Sequence, residues 1–116
     1  TAHNTQLVLN ICFNYGGRWH MAQAAAKVAA AGQPLTEENL SAAMALAHVS
    51  EPDLLIRTGG EMRISNFLLW QAAYSELLFS DRLWPDFDAA DLDAAIAQYA
   101  QRERRFGQIS AQIASK

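Results

Sequence analysis

Asp53-Leu54-Leu55-Ile56-Arg57-Thr58-Gly59-Gly60-Glu61-Met62-Arg63-Ile64-Ser65 is the stretch that decides the fold class. Its first six residues make a short apolar run, the pattern of a strand buried on both faces, and Gly59-Gly60 ends it. Ser65 stands where a helix cap belongs. Ile64 and Leu69 have the spacing of a hydrophobic staple across that helix start. A buried strand, a glycine turn and a helix make up the unit from which parallel sheets are built.

The same order occurs upstream. Residues 6–14 (Gln-Leu-Val-Leu-Asn-Ile-Cys-Phe-Asn) read as another buried strand, closed by Gly16-Gly17. The spacing predicts a helix over 18–31 with Met21, Ala24, Ala25 and Val28 on its inner face, stopped by Gly32 and Pro34. Thr36 caps a further helix whose inward positions are Leu40, Ala43, Met44 and Ala47. Downstream, a helix from Ser65 is apolar nearly all round across 67–74, which marks a deeply buried or interface helix. Residues 76–79 predict a short strand. Asp88 caps the last helix, with Asp91 in its first turn and Leu92, Ala95, Ile96 and Tyr99 as its stripe. Its basic end, 102–105, suits the negative end of the helix dipole. The fold class is therefore α/β, a partial parallel sheet flanked by helices. Three strands of this kind leave a hydrophobic sheet edge unpaired. Residues 1–116 are accordingly expected to be part of a single larger domain.

The 116 residues are 51% apolar and 18% charged, an ordinary globular balance. A formal net charge of −3 argues against a general nucleic-acid footprint. No run approaches the roughly 20 apolar residues that cross a bilayer. Cys12 is the single cysteine, which excludes an intrachain disulfide and a multi-cysteine metal site. No basic stretch leads into a long apolar core, as a secretory signal requires. His3, His20 and His48 lack metal-ligand spacing. Asp86, Asp88, Asp91 and Asp93 lack the glycine and final glutamate of a calcium loop.

The chemistry concentrates where the decisive strand ends. Ligands of open parallel sheets bind at the carboxyl ends of the strands, and helix starts offer unpaired N–H groups to anions. Arg57 and Arg63 bracket the loop, and each can offer a fork of donors to phosphate oxygens. Ser65 adds a hydroxyl. The set suits a diphosphate better than a lone carboxylate, although the spacing alone also suits an ordinary strand–helix turn. It is neither a Walker A loop nor a Gly-x-Gly-x-x-Gly loop. Asn14-Tyr15-Gly16-Gly17-Arg18-Trp19 repeats strand, paired glycines, arginine and helix; two such loops at one sheet edge strengthen the reading of an anion-facing edge, while taken alone this loop reads as architectural rather than catalytic. Glu76 is a lone carboxylate of the kind that joins Mg²⁺ to phosphate oxygens, but on the residues alone the better reading is a surface glutamate at a strand end.

Five blocks together resemble the cis-prenyltransferase family, of the bacterial undecaprenyl diphosphate synthase (isoprenyl transferase) type. They are Asn14-Tyr15-Gly16-Gly17-Arg18-Trp19, Arg57-Thr58-Gly59-Gly60-Glu61, Arg63-Ile64-Ser65-Asn66-Phe67-Leu68-Leu69-Trp70-Gln71, Tyr74-Ser75-Glu76-Leu77 and Leu83-Trp84-Pro85-Asp86-Phe87. The resemblance covers almost the whole chain. It implies the carboxyl-terminal half of that fold, and an enzyme that adds isopentenyl diphosphate units to farnesyl diphosphate with cis double bonds. It further implies Mg²⁺, a homodimer, and a cytoplasmic location from which the lipid product, a carrier of peptidoglycan precursors, is handed to the membrane.

Carried over by residue, Arg57, Arg63 and Ser65 with the backbone N–H of Ile64 resemble the grip on the isopentenyl diphosphate head. Glu76 resembles the Mg²⁺ ligand. Arg105 and Gly107 resemble a tail that reaches the partner subunit's diphosphate site. The apolar run 67–74 resembles the dimer interface, and Leu7 a tunnel-lining position. Asn14, Gly16, Gly17 and Arg18 stand beside them as secondary positions. The family's Asp-Gly-Asn-Gly-Arg-Trp-Ala block, with its catalytic aspartate, is not among these residues. Met62 stands where relatives often carry histidine, and His20 where they often carry aspartate. Two other functions share the same residues: a non-catalytic subunit of a two-component enzyme, and a plain diphosphate-binding module.

Overall fold

In a computed structural model of the chain, which describes residues 2–102, three helices accompany a two-stranded parallel sheet. The helices are α1 (Gly17–Ala30), α2 (Glu37–Ala43) and α3 (Ala89–Ala100); the strands are β1 (Leu54–Arg57) and β2 (Glu76–Phe79). Leu54 pairs with Glu76 and Arg57 with Phe79, so both strands run toward the Arg57 end. The α/β class and the parallel pairing are those expected from the sequence.

Local chemistry sets the helix ends. Thr36 accepts the Asn39 N–H at 3.1 Å and starts α2. Asp88 and Asp91 exchange side-chain and backbone bonds at 3.0 and 3.2 Å, a complete capping box for α3. α1 closes with Gly32 at φ +67°, the Gly32 N–H reaching Ala29 O at 3.0 Å and the Gln33 N–H reaching Val28 O at 3.2 Å. That pair of bonds is a Schellman closure, and it needs a left-handed residue after the cap. α1 lies against α2. Ala24, Val28, Met44 and Ala95 are the buried apolar side chains among the described residues.

Three expectations are corrected. Residues 6–14 are not a strand: they lie in irregular backbone, with Leu7 80%, Leu9 78% and Phe13 87% exposed. A strand needs a hydrogen-bonded neighbour, and among the described residues the sheet consists of β1 and β2, with no partner for 6–14. No helix runs from Ser65 through 74. Ser65, Asn66 and Leu68 sit at φ +46°, +65° and +47°, in the left-handed region that a right-handed helix cannot pass through. The segment is instead a series of turns, pinned by the Trp70 indole N–H on Ser41 Oγ at 2.9 Å and by Gln71, which is buried. α2 stops at Ala43, short of Met44 and Ala47, because Met44 takes an extended backbone (ψ 151°) and Leu46 a left-handed one.

The basic end of α3 serves a tertiary bond. Arg102 Nη1 reaches Glu76 Oε2 at 2.9 Å and Leu77 O at 2.8 Å, tying the close of α3 to the start of β2. Arg105 and Gly107 lie outside the described residues. No helix among the described residues is long and apolar enough to cross a membrane.

The capping box sets the first stability expectation. Asp88→Ala in the full-length protein removes the acceptor for the Asp91 N–H and should lower unfolding free energy by about 1 kcal/mol. Urea denaturation checks it; an unchanged midpoint would mean that α3 does not depend on this cap.

Candidate functional site

β1 delivers Arg57 to the carboxyl edge of the sheet, and the backbone turns back at once. Gly59 and Gly60 take φ +89° and +75°, which glycine adopts without steric cost. Their N–H groups donate to Arg82 O at 2.7 Å and Ser80 O at 2.9 Å. The glycines therefore lock the loop onto the segment after β2, and their amides are engaged by protein rather than turned toward a ligand. The helix start expected at Ser65 is absent as well. What the loop offers an anion is two guanidiniums and a hydroxyl, with the Ile64 N–H between them in sequence.

The structure brings the Arg57 guanidinium and the Ser65 hydroxyl together. Arg57 Nη1 donates to Ser65 Oγ at 2.8 Å and also to the Arg63 carbonyl. One nitrogen thus closes the loop from 57 to 65, leaving Nε and Nη2 outside these bonds. The Arg63 guanidinium points elsewhere, pairing with Glu61 at 2.6 Å, and both side chains are well exposed (64% and 45%). An exposed pair of this kind is worth about 0–1 kcal/mol. A diphosphate, with more charge and more acceptor oxygens, can take Arg63 from Glu61 at small cost.

The second loop meets the first through Asn66. Its backbone carbonyl accepts the Gly17 N–H at 2.7 Å, and its Oδ1 accepts the Arg18 N–H at 2.9 Å. The first two amides of α1 are therefore occupied, and the second anion-facing loop expected at 14–19 has protein, not solvent, at these two donors. A hollow of about 250 Å³ lined by Asn14, Tyr15, Gly16 and Trp19 opens beside it. Tyr15 stacks on His20 with ring centres 4.3 Å apart and meets Phe67 edge-on at 5.4 Å. Burial pushes the Tyr15 hydroxyl above its ordinary range. That hydroxyl donates to Gln71 Oε1 at 3.3 Å, and Gln71 Nε2 donates to Ala45 O at 3.0 Å. His20 Nδ1 lies 2.9 Å from Gly16 O; a carbonyl only accepts, so Nδ1 carries the proton.

Glu76 is not brought to this loop. It pairs with Leu54 at the amino end of the ladder, three residues back from the Arg57–Phe79 pair, and its carboxylate is engaged by Arg102. Among the described residues no three His, Cys, Asp or Glu side chains gather as a metal site. Leu7 stands exposed in the irregular amino-terminal segment. Asn66, Gln71 and Glu61 are the contacts that the sequence reading left out. A polar residue inside the apolar run 67–74 was the signal for Gln71, and an asparagine following the loop serine was the signal for a left-handed turn.

Residues 1–107 match the prenyltransferase family model described as "Putative undecaprenyl diphosphate synthase". The chain is 59% identical over 118 residues to an isoprenyl transferase of Ralstonia nicotianae, covering 97% of this chain and 46% of that protein. It is 52% identical over 120 residues to the ditrans,polycis-undecaprenyl-diphosphate synthase ((2E,6E)-farnesyl-diphosphate specific) of Shewanella oneidensis, covering 97% and 44%. The chain thus spans somewhat under half the length of these curated relatives. Among solved structures, a probable undecaprenyl diphosphate synthase from Campylobacter jejuni superposes with a TM-score of 0.75 at 38% identity, over 81% of this chain and 44% of that one. Lavandulyl diphosphate synthase from Lavandula x intermedia, in complex with dimethylallyl diphosphate, gives 0.76 at 41% identity with the same coverage.

The contact between the two loops leaves no space at Gly17, where a Cβ would lie 2.8 Å from Asn66 O and 2.9 Å from Leu69 Cγ. Gly17→Ala should therefore cost about 1–3 kcal/mol in the full-length protein. Gly16→Ala, whose Cβ would meet the Asn66 Nδ2 tip at 3.2 Å and Trp19 Cβ at an ordinary 3.9 Å, should cost less. Thermal unfolding of the two variants checks the order; equal midpoints would refute the close approach.

Proposed function

The chain belongs to the undecaprenyl diphosphate synthase family of prenyltransferases, and on that premise we propose that it carries the isopentenyl diphosphate side of a cis-prenyltransferase active site. The observation that carries this reading is the joining of Arg57 to Ser65 and to the Arg63 backbone at the carboxyl edge of a parallel sheet. Arg57 holds the loop, Arg63 leaves Glu61 for the diphosphate, and the Ser65 hydroxyl and Ile64 N–H complete the grip. The substrates proposed are isopentenyl and farnesyl diphosphate, and the product is undecaprenyl diphosphate, a carrier for peptidoglycan precursors. A homodimer in the cytoplasm, passing its lipid to the membrane, belongs to the same proposal. So does the assignment of residues 1–116 to the carboxyl-terminal part of one prenyltransferase domain.

In the reaction, the allylic C–O bond breaks and its electron pair leaves with the diphosphate. The isopentenyl double bond attacks the allylic carbon, and a proton departs. The residues of this chain contribute by holding the attacking double bond at one distance and orientation, which removes the entropic part of the barrier. The family's catalytic aspartate is assigned to a block outside these residues. Mg²⁺ is proposed with Glu76 as its carboxylate. Within the described residues that carboxylate is engaged by Arg102 and stands at the opposite end of the ladder from the loop. The residues present do not converge on a cation at the loop, and no step here runs through one.

The full-length protein with farnesyl diphosphate, labelled isopentenyl diphosphate and Mg²⁺ tests the function. Arg63→Ala should raise KM for isopentenyl diphosphate about 10- to 100-fold, the worth of one charge-assisted bond, and leave farnesyl diphosphate binding nearly unchanged. Equal loss of both would deny the loop a dedicated substrate. Residues 1–116 alone should give no elongated product, since they hold one side of the site. A full-length protein that binds isopentenyl diphosphate without elongating anything would be the non-catalytic subunit instead. One that prefers it no more than inorganic diphosphate would be a plain binding module.

A further inference from the structure

The first N–H groups of a helix have no partner inside it, and a side chain at the N-cap normally supplies one. The N-cap of α1 is Gly16, which has no side chain to offer. The missing acceptors come from 48 residues away, where Asn66 gives both its carbonyl (to Gly17) and its Oδ1 (to Arg18). It can face both because its backbone is left-handed at φ +65°, a conformation that asparagine tolerates better than most residues. Its neighbour Ser65, also left-handed, receives Arg57 Nη1. Two adjacent residues thus bind two different elements: Ser65 the end of β1, Asn66 the start of α1.

We propose that Asn66 is a positioning residue that holds the Arg63–Ser65 grip at a fixed offset from the start of α1. With Oδ1 in place, residues 63–65 are anchored at both ends and offer a diphosphate one geometry. Without it they are anchored only through Arg57 and the backbone bond to Gly17, and binding must first order them. This rests on the proposed function: the residues being positioned are those assigned to isopentenyl diphosphate.

Asn66→Gly tests the side-chain bond, because glycine tolerates the left-handed backbone and keeps the carbonyl acceptor while the carboxamide with its Oδ1 is removed. In the full-length enzyme, amide hydrogen exchange at Arg18 should accelerate about 5- to 10-fold, as expected for one lost hydrogen bond. KM for isopentenyl diphosphate should rise by a similar factor, with kcat and the KM for farnesyl diphosphate within about twofold. Asn66→Asp keeps an oxygen toward Arg18 and should restore slow exchange there. Ser65→Ala combined with Asn66→Gly should lose less than the sum of the two single variants. Unchanged exchange at Arg18 in Asn66→Gly would overturn the bond itself. Faster exchange with an unchanged KM would make Asn66 a cap for α1 and nothing more, and strictly additive losses would disconnect it from Ser65. If the unsubstituted full-length enzyme fails to elongate farnesyl diphosphate, the functional reading fails, while the exchange comparison still decides whether the two loops are joined.

Discussion

The site depends on a single nitrogen. Arg57 Nη1 carries both the Ser65 hydroxyl and the Arg63 carbonyl, and it stands at the last residue of β1, where the ladder fixes its backbone. The loop between has no regular structure of its own. On one side the Gly59 and Gly60 amides fasten it to the segment after β2; on the other, Arg57 does. This gives the two arginines different jobs. A half-buried guanidinium with two protein acceptors is part of the scaffold. An exposed one, held by an exposed glutamate, is a hand that can be moved. Preorganisation from Arg57 and reach from Arg63 are what a loop needs to take a charged tail without a helix N-terminus behind it.

What was legible in the sequence is what nearest neighbours decide. Thr36 and Asp88 cap helices because their oxygens reach amides three residues on, and Gly32 ends α1 because only its own backbone must turn. β1 and β2 were legible as compact apolar runs between breakers, and Arg57, Arg63 and Ser65 as a cluster because one short loop carries all three. The failures share another cause. Residues 6–14 have the composition of a strand, yet a strand exists only if something pairs with it. Residues 65–74 have the composition of a buried helix, yet Asn66 is drawn to amides 48 residues away and Gln71 to a carbonyl 26 residues away. Periodicity is silent about partners at such distances, and the tertiary bonds prevailed over local propensity.

The superpositions separate what the fold provides from what a site must add. Two proteins named for different products, an undecaprenyl and a lavandulyl diphosphate, match this chain equally well in shape. Architecture of this kind does not select the product. A diphosphate is common to both names, and the loop of Arg57, Arg63 and Ser65 is the one we propose for it.

The irregular amino-terminal segment has a consequence for handling the polypeptide by itself. Leu-Val-Leu-Asn-Ile-Cys-Phe, positions 7–13, contains no charge, no proline and no glycine, and all but Cys12 are mostly uncovered. Such a ribbon is a template for intermolecular cross-β stacking. In concentrated preparations of these 116 residues, fibrils or amorphous precipitate would start there, and a lysine placed at Leu9 would act as a gatekeeper against them.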